Sequence, residues 1–207
     1  MSTPTLDPES QTVAARKRGR PTEDERVERR SQILDASLAV FLEHGFGHAT
    51  IGQLAAASQV TKRTIYTYFG GKSDVFAAMV QELAETVSSD GSGAPDVDTL
   101  ETLATRIVYR VHSDELVGLH RLVIAESSRF PELAQTLFEK GDVRHMARLA
   151  EHIRRESGEP VTDRAELLFS LLLGEAHRNR LLGLEPAPSL KTARSHARRA
   201  LAALGLG

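Results

Sequence analysis

The chain has 207 residues, of which 41% are hydrophobic and 26% charged, ordinary values for a globular protein and enough to bury a core. It has no cysteine, which excludes disulfides, thiolate zinc sites and thiol redox sensing and fits an intracellular protein. The formal charge of −2 conceals an asymmetry: residues 16–72 carry ten Lys/Arg against six Asp/Glu (+4), whereas residues 81–207 carry sixteen against nineteen (−3). A basic N-terminal third points to a polyanionic partner at one end only, with ordinary scatter of surface charge as the alternative.

Residues 1–15 are rich in Ser, Thr and Pro without periodicity and read as disordered. The N-terminus lacks the apolar core of an export signal, and the most apolar run, LLFSLLLG at 167–174, is far short of the ~18 residues of a membrane span. A cytoplasmic protein without a membrane partner is expected. KRGRP at 17–21 completes a basic arm, residues 1–21. Thr22 and Glu25 have capping-box spacing and open a helix predicted to run to about His44, with Leu34, Leu38 and Phe41 on one stripe and Gly45 as the stop.

Thr50 and Gln53 repeat the capping-box spacing, predicting a short helix from Ile51 to Ala57 that buries Ile51, Leu54 and Ala55. After a turn at 58–60, Thr61 is a good N-cap for a second short helix ending near Phe69. Two short helices joined by a three- or four-residue turn, the second one basic, read as a helix-turn-helix. This second helix lies in TKRTIYTYFGGK, residues 61–72, where Tyr66, Tyr68 and Phe69 crowd beside Lys62 and Arg63. Lys62 and Arg63 stand at the start of the helix, where side chains meet base edges when such a helix enters the major groove. A tyrosine ring can pack inward while its hydroxyl reaches a phosphate. An amphipathic helix with all its aromatics in the core is the alternative.

The run from Arg29 to Val80, RRSQILDASLAVFLEHGFGHATIGQLAAASQVTKRTIYTYFGGKSDVFAAMV, resembles the DNA-binding region of the TetR/AcrR family of bacterial transcriptional regulators. The resemblance implies a three-helix DNA-binding domain, residues 22–72, joined to a helical ligand-binding and dimerisation domain, residues 73–207. It also implies a ligand-relieved repressor that binds DNA as a two-fold dimer. Carried over by residue, it makes Thr50 a phosphate contact. Thr61, Lys62, Arg63, Thr64 and Tyr66 become recognition-helix contacts, and Tyr68 and Lys72 backbone contacts flanking them. Gln59 departs from the family, which usually has Gly at this turn position; a left-handed non-glycine residue costs about 1 kcal/mol. RGRP resembles the core of an AT-hook, so Arg18 and Arg20 are candidate minor-groove contacts, with a merely solubilising tail as the alternative.

Beyond GGK, Ser73 is read as the cap of a helix with Phe76, Met79, Val80, Leu83 and Val87 in register. Residues 88–97, rich in Ser and Gly, read as a flexible loop. Everything after it is helical in pattern, and no alternating strand pattern appears. Leu100, Leu103, Ile107 and Val111 make one stripe, and Leu116, Leu119, Leu122 and Val123 another, ending near Arg129 ahead of Pro131. Leu133, Leu137 and Phe138 lead into Met146, Leu149 and Ile153. The segment 163–183 is apolar nearly all round in its first half, which implies burial on several sides. A last helix carries Leu190, Ala193, Ala197, Leu201 and Leu204. The expected class is all-α, with about nine helices.

LHRLVIAESSRFPELAQTLFEKG, residues 119–141, looks like the C-terminal domain of the AefR-like branch of the same family. Candidate polar groups for a small-molecule effector are Arg121, Glu126, Arg129, Glu175, His177 and Arg178. The last two helices are the expected dimer interface, through Leu171, Leu172, Gly174, Leu181, Ala193, Ala197, Leu201 and Leu204; an intramolecular core is the alternative. No cofactor or metal is expected, because His145 and His152, seven residues apart, hold no ion without a third ligand. A ligand-blind architectural DNA binder is the second functional reading. An enzyme is disfavoured, since neither a glycine-rich phosphate loop nor a nucleophile elbow is present.

Overall fold

The computed structural model describes residues 22–88, 99–157 and 162–206, and all its regular structure is helical. The basic arm with Arg18 and Arg20, and nearly all of the loop at 88–97, lie outside the described residues.

Helix α1 (Glu23–His48) starts at the expected capping box: Thr22 Oγ1 accepts from Glu25 N at 3.2 Å, and the Glu25 carboxylate accepts from Thr22 N at 2.9 Å. Glu23, Asp24 and Glu25 in its first turn complement the positive end of the helix dipole. Gly45, at φ 75° and ψ 159°, breaks the helix where a stop was expected, but the chain coils on to His48. Helices α2 (Ile51–Ala57) and α3 (Lys62–Tyr68) follow, capped by Thr50 and Thr61. Then come α4 (Lys72–Ser88), α5 (Leu100–Val111) and α6 (Asp114–Glu126). Helix α4 begins one residue before the expected cap at Ser73. Helix α6 stops at Glu126, short of Arg129, because the N–H groups of Arg129 and Phe130 both fold back onto the Glu126 carbonyl at 2.9 Å.

Helix α7 (Pro131–Leu137) passes through a π segment (Phe138–Asp142) into α8 (Val143–Ser157); α9 (Thr162–Leu182) and α10 (Leu190–Ala203) complete the chain. The described residues thus form ten α-helices. With α7 and α8 joined, they make nine separate rods, in line with the expected number.

Helix α1 packs on α2, α4 and α6, while α4 also touches α5, α7 and the π segment. Helix α10 lies along α5, and α8 lies against α9. One continuous apolar core runs from Ile33 on α1 to Leu201 on α10. At its N-terminal end Phe41, Phe46 and Phe76 pack ring to ring with centroids 5.6–5.9 Å apart, and Phe130 meets Phe46 edge-on at 5.1 Å. Phe41, Phe46 and Phe76 are buried, each stabilising the fold by about 1.5–3 kcal/mol, while Phe130 is half-buried. These four phenylalanines join α1, α4 and the α6–α7 corner, so the helices around α2 and α3 share a core with the rest of the chain.

Two expectations about the last helices need correction. The first half of α9 is not enclosed: Leu167 and Leu171 remain 56% and 40% exposed, while Ala165, Leu168, Phe169 and Leu172 are buried. Moreover, Leu172, Ala193, Ala197 and Leu201 are buried within this one chain, the α10 residues where that helix lies along α5. Leu204 and Leu181 are half-buried. An alanine stripe permits close approach of any helix, and here the neighbour is α5. Of the expected interface set, Leu171 and Gly174 are exposed.

Gly174, at φ 54° and ψ −159°, kinks α9. The carbonyls of Leu171 and Leu172 lie just before this kink. Two imidazoles supply donors: His196 Nε2 lies 2.9 Å from Leu171 O and His112 Nε2 lies 3.0 Å from Leu172 O. A carbonyl only accepts, so both rings carry their proton on Nε2.

Candidate nucleic-acid interface

Helices α2 and α3 are seven residues each, too short to be stable alone, and their caps and core contacts hold them. Thr50 Oγ1 accepts from Gln53 N at 3.2 Å, and the Gln53 side chain returns to Thr50 N at 2.9 Å. Thr61 Oγ1 accepts from Thr64 N at 3.1 Å and meets the Thr64 hydroxyl at 2.9 Å. Leu54 and Ile65, both fully buried, pin the two helices to the core. Between them the turn places Gln59 at φ 55°, the one non-glycine residue with positive φ among the described residues. Gln59 thus takes the left-handed conformation despite the cost of a side chain there.

With Ile65 facing inward, α3 turns Lys62, Arg63 and Tyr66 to solvent, and Tyr66 is 55% exposed. Neither Lys62 nor Arg63 forms an ion pair among the described residues. The Lys62 stem lies over Gly52 of α2: a Cβ there would sit 3.2 Å from Lys62 Cε. A side chain at position 52 would have to displace the end of the Lys62 side chain. Thr50 and Thr61 are exposed at the first turns of their helices, and Thr64 is half-buried. Tyr68 is half-buried and packs on the core, its ring 6.1 Å from that of Phe69. The surface formed by Thr50, Thr61, Lys62, Arg63 and Tyr66 is a short cationic helix end with hydroxyls on either side. It offers donors to phosphates and two long cationic side chains to a groove.

Lys72 departs from its expected place. Its ammonium is turned inward, donating to the carbonyls of Phe46 at 2.6 Å and Ala49 at 2.9 Å, and lying 4.5 Å over the Phe46 ring. Burial lowers its pKa, opposed by the nearby Glu126 carboxylate. A lysine that satisfies the carbonyls at the end of α1 leaves no ammonium for a phosphate.

The six residues expected around an effector do not converge either. Arg121 closes the end of α9, donating to Leu181 O at 2.9 Å and Arg180 O at 2.7 Å. Arg129 stacks on Phe130 at 5.4 Å. Glu175 and Arg178 are exposed. Glu126 reaches back to α1, where its two oxygens accept Gly47 N at 3.2 and 3.0 Å. Only His177 enters a buried polar cluster: its Nε2 lies 2.8 Å from His120 Nδ1, and its ring is 5.2 Å from that of His112. Burial, then neighbouring His and Arg, holds its pKa down to about 3.

Sequence reasoning missed His120, Asp142 and Arg180, and weighed His145 only as a metal ligand. Arg180 is 6% exposed, and its guanidinium bonds His112 O at 3.0 Å, Glu185 O at 2.6 Å and Asp114 at 2.5 Å. A helical wheel centred on apolar residues does not mark such groups. Among the described residues no group of three or more His, Asp or Glu side chains is arranged to hold a metal ion. No described helix is long and apolar enough to cross a membrane.

Comparison with known proteins yields a consistent set of likenesses. Residues 33–79 match the bacterial regulatory proteins of the tetR family, and residues 98–204 match the AefR-like transcriptional repressor C-terminal domain. The transcriptional repressor KstR of Rhodococcus jostii is 26% identical over 201 residues, covering 82% of this chain and 95% of that protein. The regulator AcrR of Shigella flexneri is 39% identical over 67 residues, 32% of this chain and 31% of its own. Four curated relatives, AcrR included, are matched over only 31–60% of their length. Among solved structures, a TetR-family regulator from Mesorhizobium loti superposes with a TM-score of 0.64 at 25% identity, covering 88% of this chain and 96% of that one. A TetR regulator from Agrobacterium tumefaciens gives 0.62 at 28% identity, covering 84% and 93%.

Proposed function

Because the chain belongs to the TetR family of bacterial transcriptional regulators, we propose that it is a homodimeric repressor that binds a two-fold operator and leaves it when a small molecule occupies the helical C-terminal part. The observation that carries this reading is α3 itself: a seven-residue helix, capped by Thr61, pinned by Ile65 and presenting Lys62, Arg63 and Tyr66 to solvent. In the proposed complex Lys62 and Arg63 read base edges, and Thr50, Thr61, Thr64, Tyr66 and Tyr68 hold phosphates. Residues 22–72 act as the DNA-binding part and residues 73–207 as the effector and dimer part. Cytoplasmic placement follows from a DNA partner.

One such helix makes too few contacts for tight binding, and a two-fold pair doubles them at half-sites about 34–36 Å apart. The second copy is proposed to sit on the outer face of α9, where Leu167, Leu171 and Leu182 are 40–64% exposed beside the kink at Gly174, and on Leu190 at the start of α10. Leu167 and Leu171, one turn apart on a helix whose opposite face is buried, favour a partner helix over water. Effector binding favours a state whose recognition helices no longer match the half-sites.

Footprinting of the purified protein on DNA flanking its own gene, at physiological salt, tests this. A protected two-fold site is expected. Binding without a protected site, lost at modest salt, would sink the operator reading in favour of a ligand-blind architectural role.

A further inference from the structure

Three openings in the fold differ in what they can hold. In a cleft of about 360 Å³ between α1, α4 and the α5–α6 corner, most charges are already paired: Glu82 with Arg30 at 2.7 Å, and Arg110 with Glu115 at 4.0 Å. A cavity of about 30 Å³ beside His120, Asp142 and His145 has room for about one water. The third, of about 390 Å³, opens between α5, α9, α10 and the loop that joins the last two.

This cleft has a fixed frame. Arg180, 6% exposed, donates to His112 O at 3.0 Å and to Glu185 O at 2.6 Å, so one guanidinium fastens the α9–α10 loop to the end of α5. Pro186 and Pro188 set φ on either side of Ala187. A loop held in this way shapes the cleft before a ligand arrives, and a preformed site costs less to fill. Val108, Ala176 and Ala193 give it apolar walls. An apolar cavity of ~150 Å³ holds one benzene ring, so this volume admits two fused rings.

Its acceptors are imidazoles. His112 and His196 line the cleft with their planes 82° apart, and their Nε2 protons are engaged by Leu172 O and Leu171 O. Burial holds His112 down to about 4, so its ring is neutral and Nδ1 is a lone pair. That Nδ1 has no partner among the described residues, yet it is not closed off as the unpaired Nδ1 atoms of His145 and His177 are. His112 is only 2% exposed, so Nδ1 opens onto the cleft that the ring lines.

The surrounding charges select against ions. Arg180 acts on His112 more strongly than the Glu185 carboxylate does, which disfavours a cation there. A carboxylate would bring lone pairs to a lone pair, and every Arg180 nitrogen already has an acceptor. An uncharged ligand with one good donor remains. A phenol carries that donor on a flat apolar body and, like tyrosine, keeps its proton at neutral pH.

We propose that the cleft between α5, α9 and α10 is the effector site, and that it takes an uncharged phenol of about two fused rings whose hydroxyl donates to His112 Nδ1. This rests on the ligand-responsive reading above only for its consequence at the operator. The consequence runs through the α9–α10 loop, which joins Leu182 to Leu190, both in the face proposed for the second copy.

The test uses the full chain without DNA, at pH 7.5, following histidine ring nitrogens by NMR. 2-Naphthol, 2-methoxynaphthalene and 2-naphthoate share a ring system and differ at the head. 2-Naphthol is expected to move the His112 and His196 signals saturably, while His145 and the exposed His48 stay in place. The other two are expected to bind at least ~10-fold more weakly, because neither offers Nδ1 a proton. His112→Gln keeps a donor for Leu172 O and is expected to remove most of the advantage of 2-naphthol over its methyl ether. Equal binding of 2-naphthol and the ether, tightest binding of the naphthoate, a shift confined to other histidines, no saturable shift, or an undiminished advantage in folded His112→Gln overturns the proposal. The wild-type series alone decides this if the variant does not fold. With no DNA in the assay, failure here leaves the operator reading standing, and failure of the footprint leaves this one standing.

Discussion

The Glu126 carboxylate accepts the backbone N–H of Gly47 through both oxygens, at 3.2 and 3.0 Å, across 79 positions of sequence. It ties the end of α6 to the segment that leads into α2. Gly45 is shaped to admit it: a Cβ there would lie 2.5 Å from Glu126 Oε1. Two penalties follow for Gly45→Ala, a clash and a backbone conformation nearly reserved for glycine, the latter alone about 1–3 kcal/mol. Removing the carboxylate relieves only the clash. Urea unfolding of Gly45→Ala, Glu126→Ala and the double variant is expected to be non-additive, with the glycine substitution less damaging in the Glu126→Ala background. Strict additivity would mean that the contact is not made.

Lys72→Ala separates two roles by their observables. As a cap on the carbonyls of Phe46 and Ala49, Lys72 contributes about 1–3 kcal/mol of stability, because charged hydrogen bonds are lost and buried acceptors are left unmade. The melting temperature is expected to fall while the salt dependence of DNA binding by the folded variant stays the same. A phosphate contact would show the reverse, with unchanged melting and a slope lower by about one ion.

On α3 the expectations are about sequence discrimination. Lys62→Ala and Arg63→Ala each are expected to weaken operator binding by ~1–3 kcal/mol and to relax preference at one or two base positions. Tyr66→Phe, losing only a hydroxyl, is expected to weaken all sequences alike. Competition binding with single-base operator variants reads the difference, and uniform weakening by Arg63→Ala would remove it from the base-reading set.

Gln59 holds a left-handed conformation at φ 55°. Gln59→Gly is expected to raise stability by up to about 1 kcal/mol, since the side-chain strain exceeds the extra chain entropy of glycine. Chemical denaturation checks it; a loss of stability would mean that the Gln59 side chain makes a contact worth more than the strain.

Acid should destabilise the fold through buried histidines. Burial holds His112 and His145 down to about 4 and His177 to about 3, whereas in the unfolded chain they titrate near 6.5. Between 6.5 and 4 the unfolded chain binds more protons, so stability falls as pH falls, by on the order of 1 kcal/mol per pH unit for each histidine. Asp142, raised to about 6, acts in the opposite sense between 6 and 3.8, and one group does not offset three. Urea midpoints at pH 7.5 and 5 are expected to drop accordingly. His112→Gln, which keeps a donor for Leu172 O and does not titrate, is expected to make the drop shallower.

The N-terminal helices were legible in the sequence because local chemistry specifies them. Thr22 with Glu25, Thr50 with Gln53, and Thr61 ahead of Lys62 each satisfy backbone groups within one turn, so pattern and structure coincide. The class of the C-terminal part was legible too, since a 3.6-residue period needs no knowledge of the neighbour. What each face meets is a different matter. Period marks Ala193, Ala197 and Leu201 as one stripe but is silent on whether α5 or a second copy covers it, and here the chain's own α5 does. The same holds for charged groups. Glu126 and Lys72 find their partners 79 and 26 positions away, and His120, Asp142 and His145 line one cavity although they come from α6, the π segment and α8. Local hydrogen bonding is written along the chain. The partners of long polar side chains depend on which helices become neighbours, and packing of the whole core decides that.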